Sequence, residues 1–462
     1  MIRKTTVLVS LGVLVLTSSA FAASVFEFTR DIGFTPGAGS TEFLGYAEID
    51  GKLVGQYLVT GYGGDIWGTR DQFHFAFRKM TGAVRLSAEF QWVGGKYGAI
   101  PATWSKYGVM IRASEAQGAV NYYTASRKDE SLVQATWRAA TGGSSADTQV
   151  KANTVPGATR PHRLGVQRVL IGGEIPAIES LVDWGQGAGW ERVGTLKIMP
   201  VLPDEVLVGV AVGSMNVWDV AQAIASDVVY QTKAELVGPA PEFPLVPAAA
   251  AMASAPAGAA GFKIRTLKAM YTEGWNRAEM TKLLDFGCTG PVCLAPGMPV
   301  PALESGERVS AFVNLHDTGG RGEFSATNGF ADESFPGVDP LESPTADPAA
   351  GDDDNNLATE ATGIVELKAG YYVFAVNDDD GTIVEIGGVE IGRSAEWKGA
   401  GNTDFVFQVE ADGFYPLRAR HLEGGGGAEL ELHQVLKGPD GVWKRILLGD
   451  VAGGGVAVFS AP

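Results

Sequence analysis

Ala369-Gly370-Tyr371-Tyr372-Val373-Phe374-Ala375-Val376-Asn377-Asp378-Asp379-Asp380-Gly381-Thr382-Ile383-Val384-Glu385-Ile386 decides the fold of this chain. An apolar, β-rich run from Tyr371 to Val376 and a strand-like run from Thr382 to Ile386 flank a short acidic turn. β-branched and aromatic residues bounded by Asp, Asn and Gly are the signature of strands joined by a turn. The turn itself carries three consecutive carboxylates, Asp378, Asp379 and Asp380, closed by Gly381. Like charges so close repel unless a cation sits among them, and several hard oxygens near one point are what Ca²⁺ selects. A solvated turn is the other reading, because Asp and Gly populate turns for purely local reasons.

The same punctuation recurs along the chain. Phe73–Phe77, Val84–Phe90, Gly108–Arg112 and Val206–Val212 are short β-rich runs bounded by Gly, Pro or Asp. Further on, the runs 308–315, 363–367, 405–409, 415–419, 428–432 and 445–448 read alike. Many short strands with frequent turns predict an all-β chain built as antiparallel, jelly-roll-like β-sandwiches. Asn216–Ala225 reads as a helical turn or a loop. One helix is expected over Asn276–Phe286, with Met280, Leu283 and Leu284 on one face. No repeat of 20–50 residues runs through the chain, which excludes solenoids and propellers.

Arg3 and Lys4, the apolar stretch Val7–Leu16 and Ala20-Phe21-Ala22 describe a secretory signal over residues 1–22, too short to span a bilayer. Its removal takes two positive charges and no negative ones, so the formal net charge of -17 becomes -19. That sign excludes nucleic acid and an anionic membrane surface as partners. About 440 mature residues make two to three domains. The stretch rich in Pro and Ala at 238–260 divides them, leaving a first domain over 23–237 and a second over 261–455. The only two cysteines, Cys288 and Cys293, flank a Gly-Pro turn, and in an exported chain they are expected to form a small disulfide loop. The acidic run Asp352–Asn356 lies in a long turn-rich insertion from Thr318 to Ala361; it reads as solvated or as a second Ca²⁺ site.

Gly363–Leu367, Ala369–Phe374, the Asp379-Asp380-Gly381 turn, Gly413–Arg418 and Glu423–Leu432 together resemble the β-sandwich of the anthrax protective-antigen type, which also occurs in secreted glycosidases, flocculins and adhesins. In the calcium-dependent lectins of that family two adjacent aspartates hold Ca²⁺, and the ion ligates sugar hydroxyls. The resemblance places Asp379 and Asp380 in that role. Where the family has an asparagine on a second loop, this chain has Glu423 and four glycines. Gly64–Phe75, Tyr107–Arg112 and Val206–Val212 give the first region a resemblance to the concanavalin-A-like (laminin-G-like) sandwiches of secreted bacterial proteins. That family implies no catalytic residues.

No catalytic set emerges from the residues. Glycosidases need two carboxyls across a cleft; Glu48-Ile49-Asp50 begins the Glu-x-Asp-x-x-Glu pattern of laminarinase-like enzymes, but Leu53 stands at its last position. Neither a Gly-x-Ser-x-Gly elbow nor a His-Glu-x-x-His helix occurs, and the five histidines are scattered singly. Trp104 and Trp190, in loops rich in Gly and Pro, are candidates to stack on sugar rings beside Glu423. The expectation is therefore an exported, non-catalytic binder of carbohydrate or a cell-surface or matrix component, with Ca²⁺ in the second domain. A polysaccharide-degrading glycoside hydrolase and a structural surface protein are the alternatives.

Overall fold

A computed structural model of the chain describes residues 24–460 apart from 96–102, 129–131, 152–160, 186, 188, 200, 238–239, 270–275, 287–301, 317–321, 338–356 and 426. The expected signal segment 1–22, Cys288 and Cys293, and the run Asp352–Asn356 lie outside the described residues.

The chain is all-β, as its turn punctuation requires, and its strands form two sandwiches. In the first, one sheet runs in the order Phe28–Ile32, Phe73–Met80, Val206–Gly213, Lys106–Arg112, Asn121–Arg127, Leu132–Arg138, Ala146–Lys151. The facing sheet runs Trp190–Arg192, Ile175–Asp183, Arg163–Ile171, Val84–Gly95, Asn216–Gln231, Lys52–Gly63, Ser40–Ile49. Alternate residues meet between them: Leu86, Val166 and Ile178 from one sheet, Val109, Val133 and Val210 from the other, all fully buried. Asn216–Gln231 is a strand, which corrects the expected helical turn or loop. Alanine-rich sequence there carries little β propensity, but Ala221, Ala223 and Ala225 are the small side chains that fit the middle of the core; tertiary packing overrides local preference.

The second sandwich has one sheet ordered Leu245–Val246, Gly401–Val409, Gly370–Asp379, Glu429–Lys437, Asn314–His316. Its partner runs Ala302–Ser310, Phe262–Ala269, Leu357–Leu367, Gly413–Glu423, Gly381–Ile386, Val389–Arg393. Phe262, Val365, Phe407, Tyr415 and Leu430 fill the space between them. The helix Arg277–Phe286 starts at Asn276, whose side-chain oxygen accepts the Ala278 N–H at 2.9 Å and so caps it. Met280, Leu283 and Leu284 bury against Leu267, Ala358 and Leu422, as their spacing predicts. Among the described residues no helix is long and apolar enough to cross a membrane.

Part of the stretch read as an extended linker is held by the second sandwich. Leu245–Val246 pairs in parallel with Gly401–Val409, and Val246 is part of the second core. Two β-forming apolar residues suffice to add a strand to an open edge, whatever the proline and alanine around them. The sandwiches also touch directly. Ile171, Ile175 and Ile198 of the first pack on Val373, Ala375, Val406 and Val435 of the second. Lys437 Nζ reaches Asp204 at 2.6 Å across the same junction. Ile175→Asp places an unpaired carboxylate in this contact, a substitution costing several kcal/mol. We expect it to split a single calorimetric transition into two and to expose 238–260 to limited proteolysis; a profile like the wild type's in both would show that the contact does not couple the domains.

Candidate metal centre

The acidic turn lies where the backbone leaves one sheet of the second sandwich and enters the other. Gly370–Asp379 ends in the first sheet, Gly381–Ile386 begins in the second, and Asp380 alone bridges them. The Asp379–Asp380 peptide bond is cis. Backbone anchors hold this crossing in place: Asp380 N–H donates to the Leu422 carbonyl at 3.2 Å, and the His421 Nε2 N–H donates to the Asp379 carbonyl at 2.9 Å. Burial holds the His421 imidazole below its ordinary pKa, opposed by Asp378, so that ring is a neutral donor near neutral pH.

One oxygen each from Asp379, Asp380 and Glu423 lie within 4.8 Å of one another. Two loops wrap these groups with backbone donors. Lys398 N–H donates to Asp380 Oδ1 at 3.1 Å, Gly424 N–H to Asp380 Oδ2 at 3.1 Å, and Ala400 N–H to Asp379 Oδ2 at 3.1 Å. Gly425 N–H donates to Glu423 Oε1 at 2.6 Å. These amides orient the carboxylates, yet they do not neutralise three charges. The strain registers in Asp379, whose pKa is raised first by burial and then by Asp380 beside it. Three converging carboxylate oxygens make a hard, anionic donor set, the chemistry of a Ca²⁺ site.

The membership differs from the expected one in two places. Asp378 is not in the group. Its side chain points to the opposite face of the strand, where Ser394 Oγ donates to one oxygen and Lys398 Nζ stands 2.9 Å from the other. Alternation along a strand makes this unavoidable: residues 378 and 379 cannot share a face. Glu423, placed among the sugar contacts at the sequence level, joins the aspartates instead. It sits at the end of Gly413–Glu423, fully buried, where the resembling family has an asparagine.

Neither candidate tryptophan is near the group, since both belong to the first sandwich. Trp104 is exposed, but the Arg127 guanidinium covers its ring at 4.3 Å. Trp190 is flanked by the Arg85 guanidinium at 5.1 Å and packs against Gly165, so it serves the sheet edge. The aromatic residue beside the acidic group is Trp397, unremarked in the sequence. It is 54% exposed and packs on Gly424: a Cβ added there would lie 2.3 Å from its ring and 3.3 Å from Asp380 Oδ2. Its only sequence signal is a bulky ring in the small, polar stretch Ser394–Gly401. Of the glycosidase alternative, Glu48 is exposed on a strand at the sheet edge and Asp50 occupies a hairpin turn at φ 49°.

No protein-family profile matches the chain, and no curated protein matches it. Among solved structures it is similar to a PA14 sugar-binding domain from an RTX adhesin, at 18% identity over 41% of this chain and 96% of that one, with a TM-score of 0.27. It is similar to the A domain of epithelial adhesin 9 from Candida glabrata, in complex with Galb1-4GlcNAc, at 13% identity over 45% and 91%, TM-score 0.25. An anti-sigma factor domain-containing protein from Clostridium clariflavum aligns over 88% of this chain and 89% of its own, at 9% identity and a TM-score of 0.23. These TM-scores lie well below 0.5, and the chemistry of the site rests on its own residues.

Proposed function

We propose that the second sandwich is a Ca²⁺-dependent carbohydrate-binding module of an exported, non-catalytic protein. The convergence of Asp379, Asp380 and Glu423 carries the proposal. The three carboxylates would hold the ion, backbone carbonyls of the loops around them would complete its shell, and sugar hydroxyls would replace its remaining waters. A buried Glu in place of a neutral amide adds one more negative charge to the donor set, which favours a divalent ion. The Trp397 ring, exposed beside Asp380, offers an apolar face for a sugar ring to lie on. Export rests on residues 1–22.

A glycan array with the whole chain, run in millimolar Ca²⁺ and again with chelator, tests this. Binding that appears with calcium and vanishes with chelator is the expected outcome; silence in both, or binding indifferent to chelator, would remove the proposal. Trp397→Ala separates the two parts of the site. We expect it to weaken the bound glycan about tenfold, equivalent to about 1.4 kcal/mol, while the heat of Ca²⁺ binding in calorimetry stays at the wild-type value. An unchanged glycan affinity would take Trp397 out of the site.

A further inference from the structure

Asn314–His316, Glu429–Lys437 and Gly370–Asp379 lie side by side, and their register seats Glu429 between His316 and Asp379, and Glu431 between Asn314 and Asn377. Leu430 and Leu432 turn into the core, so these glutamates turn the other way, beneath the segment that carries Gly322, Glu323 and Phe324. Both are buried, each 1% exposed. Glu431 is hydrogen-bonded: it accepts the N–H groups of Glu323 at 3.0 Å and Phe324 at 2.8 Å, and the Asn377 side chain as well.

Glu429 has no such support. Neither of its carboxylate oxygens accepts a hydrogen bond. His316 Nε2 stands 3.9 Å from Oε2, beyond hydrogen-bonding distance. Asn377, on the neighbouring strand and 5% exposed, likewise leaves its Oδ1 without a partner. A buried carboxyl group that makes no hydrogen bond is costly whether ionised or protonated, and native chains rarely keep one without a ligand. The two glutamates also converge. A Cβ built on Gly322 would lie 2.4 Å from Glu431 Oε1 and 2.6 Å from Glu429 Oε1, so these oxygens are at most about 5 Å apart. Ca²⁺ takes oxygen ligands at roughly 2.3–2.6 Å, and one ion can bridge such a pair. A side chain at residue 322 would fill the space that glycine leaves open.

We propose that Glu429, Glu431 and the Asn377 side-chain oxygen form a second cation site, separate from the Asp379–Asp380–Glu423 group and selective for a hard divalent ion. Two charged carboxylates and one neutral oxygen satisfy a calcium-type ion and leave water or backbone oxygens to finish its shell. The site shares no ligand with the first group, although Asp379 of that group stands opposite Glu429 across the ladder.

Calcium titration of the whole chain by calorimetry, with terbium luminescence as a second count, tests it. The expected result is two ions per chain. Glu429→Gln and Glu431→Gln should each lose one ion and keep the ion that Asp380→Asn removes; circular dichroism confirms that each variant is folded. Asn377→Ala leaves both charges in place and should weaken the same ion about tenfold. A wild-type chain that binds a single ion, lost in Asp380→Asn and retained in Glu429→Gln, overturns this site while sparing the first. A single ion retained in Asp380→Asn and lost in Glu429→Gln does the reverse. Folded Glu429→Gln and Glu431→Gln chains with the full wild-type ion count also overturn it.

Discussion

We expect Asp71→Asn to unfold the first sandwich at a markedly lower temperature than the wild type. Asp71 is fully buried and sits between two fully buried arginines. Arg138 grips it with two parallel hydrogen bonds, Nη2 to Oδ1 at 2.7 Å and Nη1 to Oδ2 at 2.8 Å, and Arg112 Nη1 approaches Oδ2 at 3.4 Å. Asn121 Nδ2 adds a fourth contact at 3.1 Å. The arginines are pinned in turn by carbonyls: Arg112 donates to Ser114 and Ala116 at 2.6 Å each, and Arg138 to Gly68 and Ala119. Burial lowers the Arg112 pKa to about 10, opposed by Asp71, so the guanidinium stays charged at neutral pH.

An asparagine at residue 71 keeps the shape, removes the only negative charge in this network and turns an NH₂ toward two cations. Removing one partner of a buried ion pair costs about 3–5 kcal/mol, because the other is left uncompensated. At roughly 2–4 °C per kcal/mol for a domain of this size, the melting point falls on the order of ten degrees. Differential scanning calorimetry reads this directly, and a shift of a degree or less would mean that the carbonyls around the arginines satisfy them without Asp71. Asp71 lies within the Gly64–Phe75 stretch that stands out in the sequence, and through Arg112, Asn121 and Arg138 it ties three adjacent strands of one sheet together.

Asp380→Asn acts on the second sandwich, and its effect is on ligand rather than on fold. The amide keeps an oxygen for one of the two backbone donors, Lys398 N–H or Gly424 N–H. It withdraws one of three charges from the donor set, and carboxylate count is a main determinant of Ca²⁺ affinity. We expect affinity at this centre to fall on the order of a hundredfold, and calcium-dependent glycan binding to disappear at millimolar Ca²⁺. Calorimetry with Ca²⁺, together with melting curves in calcium and in chelator, gives the comparison. Undiminished affinity would show that Asp380 only shapes the loops.

Much of this was legible in the chain. The β-rich runs around residues 371–386 and their equivalents pointed to antiparallel sandwiches, because strand periodicity and turn chemistry are local. The helix over Arg277–Phe286 followed from its apolar spacing. Asn216–Gln231 did not, because an alanine strand is made by the sheet it enters. The exclusion of Asp378 was available in principle from strand alternation. Trp397 and Glu423 were not, since 17 residues separate Asp380 from the one and 43 from the other, and only the folding of two loops onto the sheet crossing brings them together. Glu-Leu-Glu-Leu-His at 429–433 reads as one polar and one apolar face. Nothing local says that the segment around Gly322 covers the polar one.

By itself the sequence determined the material: short β-runs, an acidic turn at 377–381 and a strongly negative chain. Only the tertiary structure decided which carboxylates act together. Asp379 and Glu423 stand on strands of opposite sheets, and Glu429 is paired across the ladder to Asp379. Charges so far apart in sequence interact only once sheet register has fixed their distances, because screened electrostatic attraction and repulsion act over ångströms and carry no memory of chain position.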